Sequence, residues 1–229
     1  MPRIFQIGFN RCGTTSIHRF LEENGLRSIH WGRGSIAAGI EAARIEGEPL
    51  LRYVDGFQVY CDMEFMREDH AGKHISRRPF RRLYKNIGRE KLDKPIYAYT
   101  YFDELDRQYP GSRFILNIRD MGRWISSRRE FLDIGYKFCS HGDDFHDSES
   151  ELESCWIEHW NEHISSVRSY FSEKPGSLLE YNIETSRPEE ITKFLREYNL
   201  DNSKWGWHNA SQGNPKNSIS EIDWPDFSE

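Results

Sequence analysis

A glycine-containing segment near the start of the chain carries the first chemistry that residue types and spacing can predict. Gly8 and Gly13 are separated by four residues, and Arg11 is the cation between them. Glycines let the backbone curl so that its N–H groups converge on an anion, and a following helix N-terminus adds its positive dipole end. We therefore expect a bound phosphate-like group to contact Arg11, Cys12, Gly13, Thr14, Thr15 and Ser16.

The same loop departs from that of nucleotide triphosphatases. Those enzymes place a lysine directly after the second glycine, and the next Ser or Thr holds Mg²⁺. Here Thr14 occupies the lysine position. This departure disfavours a nucleotide kinase-like phosphotransferase, which stays as one alternative. A non-catalytic nucleotide-binding domain is the other.

Three side chains are candidates for a general base. Asp62 follows a segment predicted to be extended, Glu64 lies two residues later, and His30 lies at the end of a second predicted strand. Each can take a proton from an attacking group when its pKa suits the working pH. Each also has a structural interpretation: a helix cap for Asp62, a solvated surface for Glu64, and a hydrogen-bonded position at the sheet edge for His30. Asp62 is the first candidate.

Hydrophobic periodicity predicts the elements that must position these residues. Strands are predicted at 3–8, 26–31, 57–60, 113–118 and 177–181. Helices are predicted from residue 14 to a stop at Asn24-Gly25, and at 35–46, 102–109, 121–138, 151–171 and 188–198. Alternating strands and helices imply an α/β fold whose central, mostly parallel sheet has helices on both faces. We expect one domain over residues 1–229.

Charge and composition exclude several functional classes. The chain of 229 residues has a net charge of -6, which argues against a general nucleic-acid coat or an anionic-membrane binder. A basic insertion is predicted at about 67–94, an acidic loop at about 140–153 and an irregular tail at 201–229. The basic insertion suits an anionic acceptor or a solvated surface.

The sequence also predicts where the protein works. No apolar run is long enough to span a bilayer, and the first residues lead directly into the glycine loop, so we expect a cytoplasmic protein. The four cysteines form no C-x-x-C pair, which predicts reduced thiols. His159 and His163 share a helix face, but no third ligand lies nearby in sequence, so packing or substrate contact is favoured and no metal site is predicted.

Two motifs together resemble the P-loop sulfotransferases. The segment Gly8 to Ser16, G-F-N-R-C-G-T-T-S, resembles the family's 5′-phosphosulfate loop. The segment Tyr109 to Asp120, Y-P-G-S-R-F-I-L-N-I-R-D, resembles its Y-P-x-S-K-F-I-L-x-x-R-D strand. Arg119 and Ser127 have the family's spacing for the residues that hold a 3′-phosphate. Weaker matches are the Asp62 segment, the helix containing His159, and Trp207-His208-Asn209.

The resemblance implies a three-layer P-loop fold and a transferase activity. The expected donor is 3′-phosphoadenosine 5′-phosphosulfate (PAPS), released as adenosine 3′,5′-bisphosphate (PAP), with Arg119 and Ser127 on its 3′-phosphate. The expected acceptor is a hydroxyl or amine of a small molecule, glycan or lipid. Arg11 is expected to contact the transferring group, and Asp62 matches the acidic position of one subgroup. The alternative for Arg119 is a salt bridge to Asp120 or Asp133.

Overall fold

The central sheet is the element on which the chain is organised. The computed structural model of the protein describes residues 2–65, 95–130, 149–206 and 208. Its strands are β1 (Ile4–Gln6), β2 (Ser28–His30), β3 (Val59–Cys61), β4 (Glu64–Phe65), β5 (Ile96–Tyr97), β6 (Arg113–Ile118) and β7 (Leu178–Asn182). Five of them form a parallel sheet in the order β2, β3, β1, β6, β7, whereas β4 and β5 form a separate antiparallel pair.

Both faces of the sheet are buried, as expected of parallel strands covered by helices. In β1, Ile4 belongs to one hydrophobic core and Phe5 to the other, because successive side chains of a strand point to opposite faces. The neighbouring β6 does the same with Ile115 and Phe114, in register with β1. Each apolar run predicted as a strand therefore contributes side chains to both hydrophobic cores.

Helices cover these two cores. They are α1 (Thr14–Glu23), α2 (Ser35–Glu46), α3 (Phe102–Gln108), α4 (Met121–Arg129), α5 (Glu149–Phe171) and α6 (Pro188–Phe194). Ile17 of α1 and Ile191 of α6 pack in the core with Ile4, while α2, α3 and α5 contribute to the core with Phe5. The predicted α/β fold with a parallel sheet between helical layers is confirmed.

Three predicted boundaries differ from the structure. The acidic loop predicted at about 140–153 is wrong in its last part, because α5 already begins at Glu149. Acidic residues in the first turn of a helix interact favourably with its dipole, so they extend this helix rather than interrupt it. The helix predicted at 188–198 ends at Phe194 and is followed by a short 3₁₀ turn, Arg196–Tyr198. The helix predicted at 121–138 ends at Arg129, with Glu130 in a turn, and residues 131–138 lie outside the described residues.

The described start of the C-terminal tail packs on α1. Trp205 contacts the rings of Phe20 and Tyr181, and the backbone N–H of His208 donates to Ser16 Oγ at 3.0 Å. The predicted irregular tail contains one short 3₁₀ turn, Asn202–Lys204, within this stretch. The basic insertion at about 67–94 and the rest of the tail lie outside the described residues.

The cysteines do not all match the expectation of reduced thiols. Cys12 and Cys61 are buried free thiols, but Cys155 is in a disulfide, so the prediction is wrong for that residue. Cys139 lies outside the described residues. Wide spacing in sequence could not predict this bond, because disulfide geometry depends on distances in the folded chain. None of the described helices is long and apolar enough to cross a membrane.

Candidate active site

The glycine loop lies between β1 and α1 and is held by a buried asparagine of β6. Asn117, fully buried, accepts a hydrogen bond from the Gly8 N–H at 3.0 Å and donates to the carbonyl oxygens of Phe9 and Cys12, each at 3.0 Å. These bonds fix both ends of the loop against the central sheet. Its conformation is therefore set before any ligand binds.

Close packing explains why the two glycines are needed. A Cβ added to Gly8 would lie 2.1 Å from the Asn117 carbonyl oxygen, and one added to Gly13 would lie 2.5 Å from the Ile183 side chain. Gly13 also has a φ of 78°, in the left-handed region that favours glycine. Arg11 adopts a φ of 61° without being glycine. Left-handed residues within such a turn let backbone N–H groups converge in a nest.

Helix α1 begins directly after this loop and leaves its first turn suited to an anion. No acidic side chain lies in the first turn, and Gly13 at the N-cap makes no side-chain capping bond. Of the three predicted hydroxyl contacts, Thr14 Oγ1 instead lies 3.0 Å from His30 Nε2, and Ser16 is buried and accepts from His208. The backbone N–H groups of this turn are thus better placed than those two hydroxyls to meet an anion.

Three polar residues predicted to contact one donor lie together around the loop. Arg11 Nε donates to Ser127 Oγ at 3.0 Å, and Arg119 Nη1 donates to the carbonyl oxygen of Arg11 at 3.2 Å. Arg119 follows β6 and Ser127 lies in α4, so the sheet and the next helix bring both to the loop. Two arginines and a hydroxyl side by side match the groups that bind phosphates through charge-assisted hydrogen bonds.

Glu184 holds the Arg119 guanidinium from the other side. Its carboxylate accepts from Arg119 Nη2 at 2.8 Å, from Arg123 Nη1 at 3.2 Å and from the backbone N–H of Asp120 at 3.1 Å. Burial opposes ionisation of Glu184, but these hydrogen bonds prevail and lower its pKa. The predicted alternative partner Asp120 instead caps α4 through Arg123 N, and Asp133 lies outside the described residues.

Asp62 lies directly after β3 and faces the loop. It has a φ of 56°, and 15% of its side chain is exposed. Burial raises the pKa of Asp62 to about 8; the nearby Glu64 charge raises it further, and Arg11 and Arg128 oppose the rise. The alternative role as a helix cap is not supported, because β4 and not a helix follows.

His30 lies at the end of β2, beside Asp62. Its Nε2 is 3.5 Å from Asp62 Oδ2, 3.0 Å from Thr14 Oγ1 and 3.5 Å from Thr15 Oγ1. Burial lowers the pKa of His30 to about 3, so the ring is neutral at pH 7. His30 therefore connects the first turn of α1 to the carboxyl group.

The match to a known family covers the glycine loop and the neighbouring residues up to the end of α4. A family model described as a sulfotransferase domain matches residues 3–141, more than half of the chain. The chain belongs to this sulfotransferase family. No curated protein matches the chain at a significant level. The matched range contains the glycine loop, Asp62, Arg119 and Ser127 of the sulfotransferase domain.

Glu64 has a different environment from that of Asp62. It is buried, and Oε1 accepts a hydrogen bond from Arg128 Nη2 at 3.3 Å in an ion pair of which each side chain is 2% exposed. Burial raises the pKa of Glu64, with Arg128 opposing the rise. The solvated alternative for Glu64 is therefore wrong, and its carboxylate is directed to an internal cation.

Other predicted residues pack inside the sulfotransferase domain. His163 Nε2 donates to the Ile7 carbonyl oxygen at 2.7 Å, and His159 Nε2 lies 2.8 Å from the Tyr99 hydroxyl. Both rings contact Phe9, so these histidines pack against a residue of the glycine loop. Cys12 is fully buried, and burial raises the pKa of its thiol, which leaves its backbone as the part able to meet a ligand.

Sequence reasoning missed three polar residues of this site. Asn117 carried a signal, since it is the one amide within the apolar run F-I-L-N-I, and such a residue needs a buried partner. Glu184 and Arg128 carried none, because charged residues after a strand or near a helix end are ordinarily solvated. Only the partners that Glu184 and Arg128 have in the folded chain distinguish them from solvated surface residues.

Proposed function

We propose that this protein is a PAPS-dependent sulfotransferase that transfers a sulfuryl group to a hydroxyl or amine of a small-molecule, glycan or lipid acceptor. The observation that carries the proposal is the joining of Arg11, Ser127 and Arg119 by hydrogen bonds at the glycine loop. Residues predicted for the two ends of one donor thus form a single polar cluster.

The residues present fit PAPS in charge and chemistry. Its phosphosulfate group suits the loop N–H groups, the acid-free first turn of α1 and Arg11. Its 3′-phosphate suits the Arg119 guanidinium and the Ser127 hydroxyl. A magnesium nucleotide fits less well, because the loop has Thr14 where a lysine is required, and the Thr14 hydroxyl contacts His30.

Positioning and electrostatic stabilisation supply the rate in this proposal. Bound PAPS supplies an activated sulfuryl group: the acceptor oxygen or nitrogen bonds to sulfur as the bond to the phosphate oxygen breaks, and PAP is released. Arg11 and the loop N–H groups stabilise the negative charge that develops there. Because Asn117 already holds the loop, little reorganisation is needed during the reaction.

Asp62 takes the proton of the acceptor. A general base is most effective when its pKa is close to the working pH, and a raised pKa of about 8 meets that condition. The neutral His30 ring beside it contacts both Asp62 and α1, which fixes the direction of the carboxyl group. After transfer, Asp62 returns its proton to solvent.

A ligand comparison tests the proposed function. PAP at about 100 times its dissociation constant should stabilise the protein by roughly 2.7 kcal/mol, whereas ATP with Mg²⁺ should give no comparable shift in thermal unfolding. Labelled PAPS with acceptor pools should then give a labelled product detected by mass spectrometry, with EDTA present. Stabilisation by Mg-ATP alone would support the kinase-like alternative. Binding of PAP without turnover on any pool would support the non-catalytic one.

A further inference from the structure

Arg128 joins the two halves of the candidate site. Its guanidinium donates from Nη1 to Asn10 Oδ1 at 3.0 Å and from Nη2 to Glu64 Oε1 at 3.3 Å. Asn10 belongs to the glycine loop, whereas Glu64 begins β4, two residues after Asp62. One side chain therefore spans from the loop that would hold the donor to the turn that carries the proposed base.

Its surroundings fix the orientation of the guanidinium group. Cζ of Arg128 lies 5.0 Å from the ring centre of Trp124 and 4.9 Å from that of Trp156, within the range of cation–π contacts. Trp124 also donates from Nε1 to the Asn10 carbonyl oxygen at 3.1 Å. A planar guanidinium held in this way presents its N–H groups in fixed directions, which a lysine cannot reproduce.

Stability alone does not account for this pair. Removing two charges from water costs about as much as their attraction returns, and well-packed apolar residues often serve as well or better. A buried ion pair is most useful where it fixes one arrangement of the groups around it. The arrangement fixed here is that of Asn10 relative to the β3–β4 turn.

We propose that Arg128 is a positioning residue for sulfuryl transfer, holding the turn that carries Asp62 at a set distance from the donor loop, with Glu64 as its anchor. This inference rests on the proposed function and adds a role for two residues that are not among the proposed donor contacts. It reassigns Glu64 from candidate base to partner of Arg128.

The charges of Glu64 and Arg128 should also affect the pH–rate profile, which a purely structural role would leave unchanged. Among the described residues, the titratable groups that face Asp62 are His30, Cys61, Glu64, Tyr99, Arg11 and Arg128. The Glu64 charge raises the pKa of Asp62 and the Arg128 charge lowers it. Neutralising one partner at a time should therefore move the acid limb of the pH–rate profile in opposite directions.

The experiment compares kcat, donor KM and pH profiles of five variants with the wild type. Arg128→Lys keeps the charge but reaches only one of two partners, so kcat should fall about 10- to 100-fold, as misplacement at a distance from the chemistry can cause. PAP affinity should change less than about threefold, because Asn117 and Trp124 still hold the loop. Arg129→Lys is the matched control, since Arg129 pairs with Glu153 at the surface.

Charge removal supplies the second readout. Glu64→Gln should move the acid limb of the pH–rate profile to lower pH, and Arg128→Met should move it to higher pH. In the double variant, which carries both substitutions, the limb should return to its wild-type position but kcat should stay low. If Arg128→Met does not fold, the pH profile of Glu64→Gln and the kcat of Arg128→Lys still test the proposed role of Arg128. A normal kcat in Arg128→Lys overturns the role of Arg128, whether or not the acid limb shifts in Glu64→Gln. An inactive wild type instead overturns the proposed function.

Discussion

At the residue scale, Asp62 combines features that are costly for stability. Its left-handed backbone is less favourable than an extended one, and its carboxyl group is largely removed from water. Perturbed carboxyl groups of this kind are concentrated at functional sites, where burial tunes the pKa toward the working pH. These features agree with the base role that we propose for Asp62.

Asp62→Asn should remove the base without altering the shape of the site. We expect kcat to fall about 10²- to 10⁴-fold, the usual range for loss of a general base, with PAP affinity retained. The wild-type rate should rise with pH up to about 8, because the carboxyl group must be deprotonated to accept a proton. Steady-state kinetics across pH with PAP titrations measure both effects. His30→Gln is the comparison, and a normal rate for Asp62→Asn beside a collapsed rate for His30→Gln would transfer the role to His30.

The same substitution should affect stability in a pH-dependent way. The pKa of Asp62 rises on folding from 3.8 to about 8, so between these values the folded protein binds more protons than the unfolded chain. Wild-type stability contributed by this group therefore falls as pH rises through that window. Asp62→Asn should gain more in thermal midpoint over the wild type at pH 9 than at pH 5. An equal gain at both values would contradict the burial of this carboxyl group.

At the scale of elements, β6 both completes the sheet and holds the glycine loop. Its apolar residues fill the two cores, while Asn117 reaches the adjacent loop with three hydrogen bonds. The loop conformation thus depends on a strand more than a hundred residues away in sequence. This dependence predicts that a change in the strand alters donor binding.

Asn117→Ala should destabilise the protein and weaken PAP binding together. The Gly8 N–H and two carbonyl groups would lose their partner, at a cost of roughly 2 to 4 kcal/mol in unfolding free energy, because unsatisfied buried polar groups are costly. PAP affinity should fall at least about tenfold, since loop order must then be recovered on binding. Urea unfolding and calorimetric PAP titration measure the two effects.

Leu116→Ala is the matched control for this variant. Leu116 is equally buried in β6, and its truncation should cost about 2 to 5 kcal/mol through the cavity it leaves. Its aliphatic side chain can make no hydrogen bond to the loop, so PAP affinity should stay close to the wild-type value at temperatures well below the unfolding midpoint. Equal PAP affinities in the two variants would refute the loop-holding role of Asn117.

At the scale of the whole molecule, the C-terminal end of the described chain packs on α1 and the residue that follows it. The N–H of Asp201 donates to Asn24 Oδ1 at 2.7 Å, and Trp205 packs on Phe20 and Tyr181. His208 then reaches Ser16 in the first turn of that helix. The helix that receives the donor in our proposal is thus supported by the C-terminal segment.

Trp205→Ala should lower the unfolding free energy by about 2 kcal/mol, because the half-buried ring loses its contacts with Phe20 and Tyr181. Chemical denaturation measures this loss. Trp31→Ala is the control for removing an indole ring, since Trp31 is 37% exposed and its loss should change stability by less than about 0.5 kcal/mol. Similar small losses in both variants would argue against support of α1 by the tail.

The sequence by itself determined the features that depend on neighbouring residues. Apolar runs bounded by glycine and proline predicted the strands, the strand–glycine–helix order predicted the loop, and a position directly after a strand located Asp62. These predictions succeed because strand alternation, helix periodicity and turn chemistry are local properties of the chain. Parallel pairing followed from the alternation of elements.

Only the tertiary structure decided which partners the polar groups have. Asn117 holds a loop that precedes it by about a hundred residues. Glu184, which follows β7, forms an ion pair with Arg119, which follows β6. Arg128 pairs with Glu64 in the core. A charged residue has the same appearance in sequence whether it is solvated or paired. Its burial, its pKa and its role follow from distances that the sheet order and helix packing create, and none of these is encoded at any single position.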